Sequence, residues 1–260
     1  MRDPMRELRE ALDATTNHSA SPNLAHLDLK REARTGIPEV VQVAGKDEAT
    51  ILAIVQTFVE ETGRAILSRV RPTIAREIRE YFVDYRIEEY PRAHIAVVRR
   101  PDWLQQRTGG RIGIITGGTA DAPYAEEAQL IAQEMGCETH VIYDVGVAGL
   151  HRVISPLHRL IEEEVHAVVV AAGMDGALPS VVAGLIDVPV IGLPTSTGYG
   201  IGGRGVAALL SMLQTCVPGL TVVNVNNGIG AGAAAARIAN AVVAAAAAVR
   251  AEELQATGRA

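Results

Sequence analysis

The side chains able to do chemistry gather in the C-terminal half, in loops of small residues between apolar runs. One loop reads Ala172-Gly173-Met174-Asp175-Gly176-Ala177-Leu178-Pro179, a second Pro194-Thr195-Ser196-Thr197-Gly198-Tyr199-Gly200, a third Thr215-Cys216-Val217-Pro218-Gly219 and a fourth Asn226-Asn227-Gly228-Ile229-Gly230. Several such loops at successive strand ends are how an open α/β sheet builds a ligand site. Cys216 adds a thiol, a nucleophile that can bond covalently to an electron-poor ligand. Asp121, Asp144 and Asp175 each stand at or just past the end of an apolar run, the placement that proton transfer needs. Each also suits a cap or a turn. The run Gly117-Gly118-Thr119-Ala120-Asp121-Ala122-Pro123 has the make-up of a phosphate cradle at a helix start; Thr119 or Asp121 could equally do no more than cap that helix. Arg152 could grip a phosphate or carboxylate with two parallel hydrogen bonds, and His151 beside it adds an imidazole. By residue type alone Cys216 reads as an inert thiol, because a plain helix-to-strand loop lies at the far end of the sheet from the strand C-termini. Cys137, with no polar motif around it, reads as structural.

Several chemistries are excluded. Lysines occur only at positions 30 and 46, so no Schiff base can form in the C-terminal half. The Gly117 loop lacks the lysine of a P-loop. A literal GxGxxG at Gly198, Gly200 and Gly203 follows the fourth strand rather than the first and has no acidic residue about 20 positions later, which argues against a dinucleotide-binding Rossmann unit. Aromatic residues are 3% of the chain and the net charge is -6, a poor match to nucleic acid. Two cysteines without a CxxC pair predict neither a disulfide framework nor a zinc site, and no metal ligands are assigned. The charged start has no apolar segment behind it, and the Ala-rich tail is broken by Arg237 and Asn240. The expectation is therefore a cytoplasmic protein with no membrane partner.

These loops need a scaffold. Residues 1–108 hold 17 Lys+Arg and 17 Asp+Glu, whereas residues 109–260 hold 7 arginines and 13 acids. That shift, at Thr108-Gly109-Gly110, predicts a small N-terminal α/β domain over 1–108 and a second domain over 109–260. In the second, short β-branched runs without alternation are the mark of strands covered on both faces. Strands are expected at 111–116, 140–144, 166–171, 188–193 and 220–225. Helices are expected at 123–135, 150–164, 178–185, 206–214 and 231–250. Five βα repeats predict a doubly wound parallel sheet in a three-layer sandwich. The Ala-rich last helix suits either a contact between subunits or simple helix propensity. In the first domain the expectations are helices at 5–13 and 47–62, a loop at 15–22 and strands at 65–68 and 94–98.

The second domain resembles the PurE-type aminoimidazole ribonucleotide carboxylases, whose first loop binds a ribonucleotide phosphate where Gly117–Asp121 stands here. Those enzymes carry a histidine in the third-strand loop, and Asp175-Gly176-Ala177-Leu178-Pro179 has none. The fuller resemblance is to the LarB family, which begins assembly of the nickel-pincer nucleotide. It is carried by 28–41, by Gly118-Thr119-Ala120-Asp121 with Ala125-Glu126-Glu127-Ala128, by Asp144 through Arg152, by 173–184 and 194–200, by the Cys216 loop and by 226–230. Two positions depart from that pattern, Asp175 where the family has Glu and Asn226 where it has Asp. The resemblance implies carboxylation of the pyridinium ring of nicotinic acid adenine dinucleotide by carbon dioxide or bicarbonate, then hydrolysis of its phosphoanhydride. It implies Cys216 as nucleophile, reversing the reading from residue type. Asp175 would position the hydrolytic water, and Asp121 or Asp144 would accept the ring proton. Gly118, Thr119, Ala120, His151, Arg152, Gly173, Met174 and Ser196 would bind substrate. No cofactor would be held permanently, although Mg²⁺ could assist hydrolysis. A homo-octamer with shared sites is implied, with the N-terminal domain capping the site or holding the adenylate half. The rival classes are a purine-pathway carboxylase or mutase and a non-catalytic nucleotide-binding module.

Overall fold

The computed structural model describes residues 27–257, so the helix expected at 5–13 and the loop at 15–22 lie outside it. The chain divides into two compact units, Met1–Leu104 and Gln105–Ala260. The first holds α1 (Arg31–Thr35), β1 (Val40–Gln42), α2 (Glu48–Thr62), β2 (Arg64–Ser68), α3 (Pro72–Tyr81), β3 (Arg86–Tyr90) and β4 (Ile95–Arg99). Its sheet runs β1-β2-β4-β3, parallel only between β1 and β2. On α2, Ile51, Ile54, Val55, Phe58 and Val59 recur on one buried face. Asp47 opens that helix by accepting the Thr50 N–H at 2.9 Å.

Four elements of this unit, α1, β1, α3 and β3, were not read in the sequence. Helix α3 buries only Ile74 and Ile78, although Pro72 in its first turn was a signal. Strand β3 is an edge strand of mostly charged residues, so no apolar alternation marks it. The run 28–41 folds as an ion-paired clasp. Arg34 grips Asp28 through two bonds of 3.0 and 2.5 Å, Arg31 meets Glu39 at 2.7 Å, and Glu32 reaches the buried Arg64 at 2.9 Å. The Arg34 guanidinium holds the Asp28 carboxyl below the usual carboxylate range. Whatever that bond contributes to stability is present above the unfolded carboxyl value of about 4 and is lost only as pH falls through the lower folded value.

The second unit has the expected fold. Its elements are β5 (Arg111–Thr116), α4 (Ala122–Glu134), β6 (Glu138–Ile142), α5 (His151–Glu162), β7 (Ala167–Ala172), α6 (Leu178–Ala183), β8 (Val190–Pro194), α7 (Val206–Leu213), β9 (Leu220–Val222) and α8 (Gly228–Thr257). All five strands are parallel, in the order β6-β5-β7-β8-β9. Strands β7 and β8 are buried along their whole length, as both-face coverage demands. One layer packs Val153, Leu157 and Leu160 of α5, Leu178 and Val182 of α6, and Ala208 and Met212 of α7 onto Val168, Val170 and Val190. Helices α4 and α8 lie against each other and against the central strands.

Helix α8 starts earlier and runs further than the 231–250 expected. Ala231, Ala233, Ala235, Ala236 and Ala239 are buried in the core, so in its first half the small side chains serve contact within one chain. By length and composition 228–255 is apolar enough to cross a membrane, but these alanines make its first half a wall of the folded unit. At Gly232 a Cβ would lie 2.2 Å from the Ala128 carbonyl oxygen of α4. Gly232→Ala gains about 1 kcal/mol of helix propensity, whereas forcing a methyl into packed backbone costs about 1–3 kcal/mol and here displaces a whole helix. The expected outcome is a lower melting temperature, read by calorimetry.

Candidate active site

The strand order reverses between β5 and β7, and in open α/β sheets ligands bind outside the carboxyl ends of the strands at such a point. The loops after β5, β7 and β8 meet there, and Asp121 ties the first to the third. Its carboxylate is buried and accepts the Gly118 N–H at 2.9 Å, the Thr195 hydroxyl at 2.6 Å and the Thr197 hydroxyl at 2.9 Å. Three donors on one buried carboxylate make a joint between loops. Gly118 spends its N–H on that joint. A helix leaves its leading N–H groups without intrahelical partners, so those of the exposed Thr119 and Ala120 are the ones left for an anion. Gly173 has to be glycine, because a Cβ would fall 2.2 Å from Thr197 Oγ1 and 2.9 Å from Thr195 Oγ1.

Around this joint stand the groups open to a ligand. Asp144 is exposed at φ 60°, and its N–H donates to the Thr116 hydroxyl oxygen at 3.0 Å. Arg152 Nη1 donates to the Asp144 carbonyl at 3.1 Å and lies 3.9 Å from its carboxylate. That leaves Asp144, of the two proton-acceptor candidates, the one reachable from solvent. His151, next to Arg152, is exposed at the start of α5. Met174, at φ 49°, and Asp175 are both exposed beyond β7, and the Asp175 carboxylate accepts the Ala177 N–H at 3.4 Å. A left-handed conformation on a residue as bulky as methionine is costly and recurs at functional loops. Ser196 is half-buried beyond β8, held by Asn226 and 3.5 Å from the Tyr124 hydroxyl. Thr195, Thr197 and Tyr124 were not singled out in the sequence; a Thr-Ser-Thr run at a strand end was the signal.

Cys216 is exposed, but one chain does not bring it to this cluster. Its neighbour Thr215 accepts the Ser180 hydroxyl at 2.8 Å, and Gly219 accepts the N–H of Val190, the first residue of β8. The Asp121 joint lies past Pro194, the last. At about 3.3 Å per residue the two ends of β8 are about 13 Å apart. Cys137 is buried, 3.3 Å from Asn240 Oδ1, and burial pushes its thiol above the ordinary range. A thiol-specific reagent at pH 7.5 is therefore expected to label one thiol of the native chain, at Cys216, and the second only after unfolding, read by peptide mass. Among the described residues no three His, Cys, Asp or Glu side chains converge on a point that could hold a metal ion.

Comparisons with known proteins agree with this architecture. Residues 111–259 match the AIR carboxylase family and residues 20–100 the LarB/PurE-like N-terminal domain. An uncharacterized protein of Methanocaldococcus jannaschii is 44% identical over 216 residues, 82% of this chain and 83% of that protein. The N5-carboxyaminoimidazole ribonucleotide mutase of Thermotoga maritima is 33% identical over 135 residues, 49% of this chain and 74% of that enzyme. The mutase of the same name from M. jannaschii is 36% identical over 115 residues, 44% and 68%. The parallel sheet, the joined strand-end loops and the matched N-terminal domain lead to one conclusion: the chain belongs to the AIR carboxylase family, as a LarB-like enzyme of the carboxylase class with a PurE-like domain.

Proposed function

We propose that this enzyme carboxylates the pyridinium ring of nicotinic acid adenine dinucleotide and cleaves its phosphoanhydride, releasing pyridinium-3,5-biscarboxylic acid mononucleotide and AMP. The observation that carries the reading is the exposed thiol of Cys216, on a chain whose first unit matches the LarB/PurE-like N-terminal domain. A pyridinium ring is electron-poor and does not attack carbon dioxide. Addition of the Cys216 thiolate forms a C–S bond and leaves an enamine-like ring that does. The ring electron pair forms the new C–C bond, Asp144 takes the ring proton, and the C–S bond breaks to return thiolate and aromaticity. Asp175 orients the water that attacks phosphorus, with AMP leaving. Gly118, Thr119, Ala120, Gly173, Met174, Ser196, His151 and Arg152 line the substrate, and Asp121 keeps the Gly118 and Ser196 loops in register. Mg²⁺ would neutralise phosphate charge; with no ligand cluster among the described residues, it would be held mainly by the substrate's own oxygens.

Because Cys216 lies at the far end of its own sheet, the thiol at each site comes from a second copy in a cytoplasmic homo-octamer. Helix α7, which leads into the Cys216 loop, supports this. It turns Val206, Leu210 and Leu213 outward, 54–63% exposed, beside the exposed Tyr199 and Ile201. An apolar patch of this kind marks an interaction surface. The relatives named N5-carboxyaminoimidazole ribonucleotide mutase favour a second reading, action on that ribonucleotide. Incubation with each candidate substrate and bicarbonate separates the two. AMP release from the dinucleotide supports the first reading; conversion of the ribonucleotide with the dinucleotide untouched replaces it.

A further inference from the structure

In the first unit, α3 and the turn that joins β3 to β4 enclose a cavity of about 260 Å³. Pro72 and Ala75 wall it on the helix side, Pro91 and Ile95 on the strand side. One end is basic. Arg71 stands there just before α3, and His94 is held beside it because the Val70 N–H donates to the His94 carbonyl at 2.8 Å. Both side chains are exposed, and among the described residues neither has an ion-pair partner. Among the described residues the only acid lining the cavity is Glu89, at the other end, where it accepts from Arg79. The backbone at the basic end is unusual as well. His94 holds φ 53° and Arg69 φ 60°, left-handed values that non-glycine residues rarely adopt and that cluster at ligand-binding turns.

The geometry points to this cavity as a binding site for a phosphate monoester carried on a planar heterocycle, that is, a nucleoside monophosphate. The Arg71 guanidinium can grip a phosphate through two parallel bonds, and the imidazole of His94 adds a further donor. The side chains of Pro72, Ala75, Pro91 and Ile95 carry no polar atoms and so suit the faces of a ring. At the far end Arg79 keeps N–H donors and Glu89 a second carboxylate oxygen, a donor beside an acceptor, as on the edge of a base. Eight residues separate Arg71 from Arg79, about 12 Å along the helix axis, which is the reach of one nucleotide and not of two. The site is built entirely from residues of the first unit. Only the choice of adenylate as the probe rests on the proposed reaction, which releases AMP.

The test is hydrogen–deuterium exchange of the full chain, read by peptide mass during titration with AMP, adenosine or inorganic phosphate. AMP is expected to slow exchange in peptides covering 69–80 and 89–97 at concentrations where adenosine and phosphate do not. Arg71→Ala and His94→Asn are each expected to raise the AMP concentration for half-protection about tenfold or more, the scale of a hydrogen bond to a charged group. Both side chains are exposed and asparagine tolerates the left-handed backbone, so both variants are expected to melt as the wild type does. Peptides that AMP leaves unprotected, a variant within twofold of wild type, or phosphate or adenosine acting as well as AMP overturns the inference. Protection of these peptides without turnover of the dinucleotide leaves it standing and removes the proposed reaction; turnover without protection does the reverse.

Discussion

Cys216→Ser is expected to reduce carboxylation of the dinucleotide by about a thousandfold or more while leaving the melting temperature almost unchanged. The two halves of that expectation have separate physical causes. The side chain is exposed, so a one-atom change removes no core contact and opens no cavity. The chemistry, by contrast, has no substitute: a hydroxyl at neutral pH is a far weaker nucleophile than a thiolate, and without the adduct the ring keeps the wrong polarity to attack carbon dioxide. Cys137→Ser supplies the contrast. That thiol is buried and held above its ordinary range, so its loss is expected to lower stability and to leave turnover per folded molecule intact. Rates and melting curves measured on both variants check the pair.

A mixture of two inactive variants is expected to regain activity. If each site takes its thiol from one subunit and Asp175 from another, Cys216→Ser and Asp175→Ala chains exchanged at equal ratio rebuild about a quarter of the sites. Neither parent alone has any. Complementation of this kind cannot occur if both residues of a site belong to one chain. The expectation follows from the separation within one chain, where Cys216 lies near the β8 start and Asp175 beyond the end of the adjacent β7. Leu210→Asp places a charge on the outward face of α7 and is expected to abolish both the assembly and the recovered activity. Sedimentation and activity on the same samples read the two together.

The sheet was legible because its strands announce themselves. A run such as Val168-Val169-Val170 is β-branched and unbroken, and the only place for it is a strand with both faces covered. The N-terminal unit was harder for the converse reason. Strand β3 is charged because it is an edge, so its sequence carries no apolar period. At α8 the small-residue run obscured the start. Residues 226–230 read as a loop, whereas the helix starts at Gly228, and close approach to α4 is what requires Gly232.

The site was legible as a set of loops and not as a set of bonds. Asp121, Ser196 and Met174 could be placed at strand ends from the pattern alone. That Asp121 is consumed by Thr195 and Thr197, more than seventy positions away, depends on side-chain register across two loops. The grip of Asn226 on Ser196 spans two strands in the same way. Cys216 is the opposite case. Its place at the wrong end of its own sheet was readable from helix-to-strand connectivity, and the structure keeps it there.

The most direct measurement is mass spectrometry of products formed from nicotinic acid adenine dinucleotide and carbon-13-labelled bicarbonate. The account predicts AMP together with a pyridinium mononucleotide carrying one labelled carboxylate, and no labelled product with Cys216→Ser. Unlabelled nicotinic acid mononucleotide as the sole pyridinium product, or label incorporated equally well without the Cys216 sulfur, would contradict it.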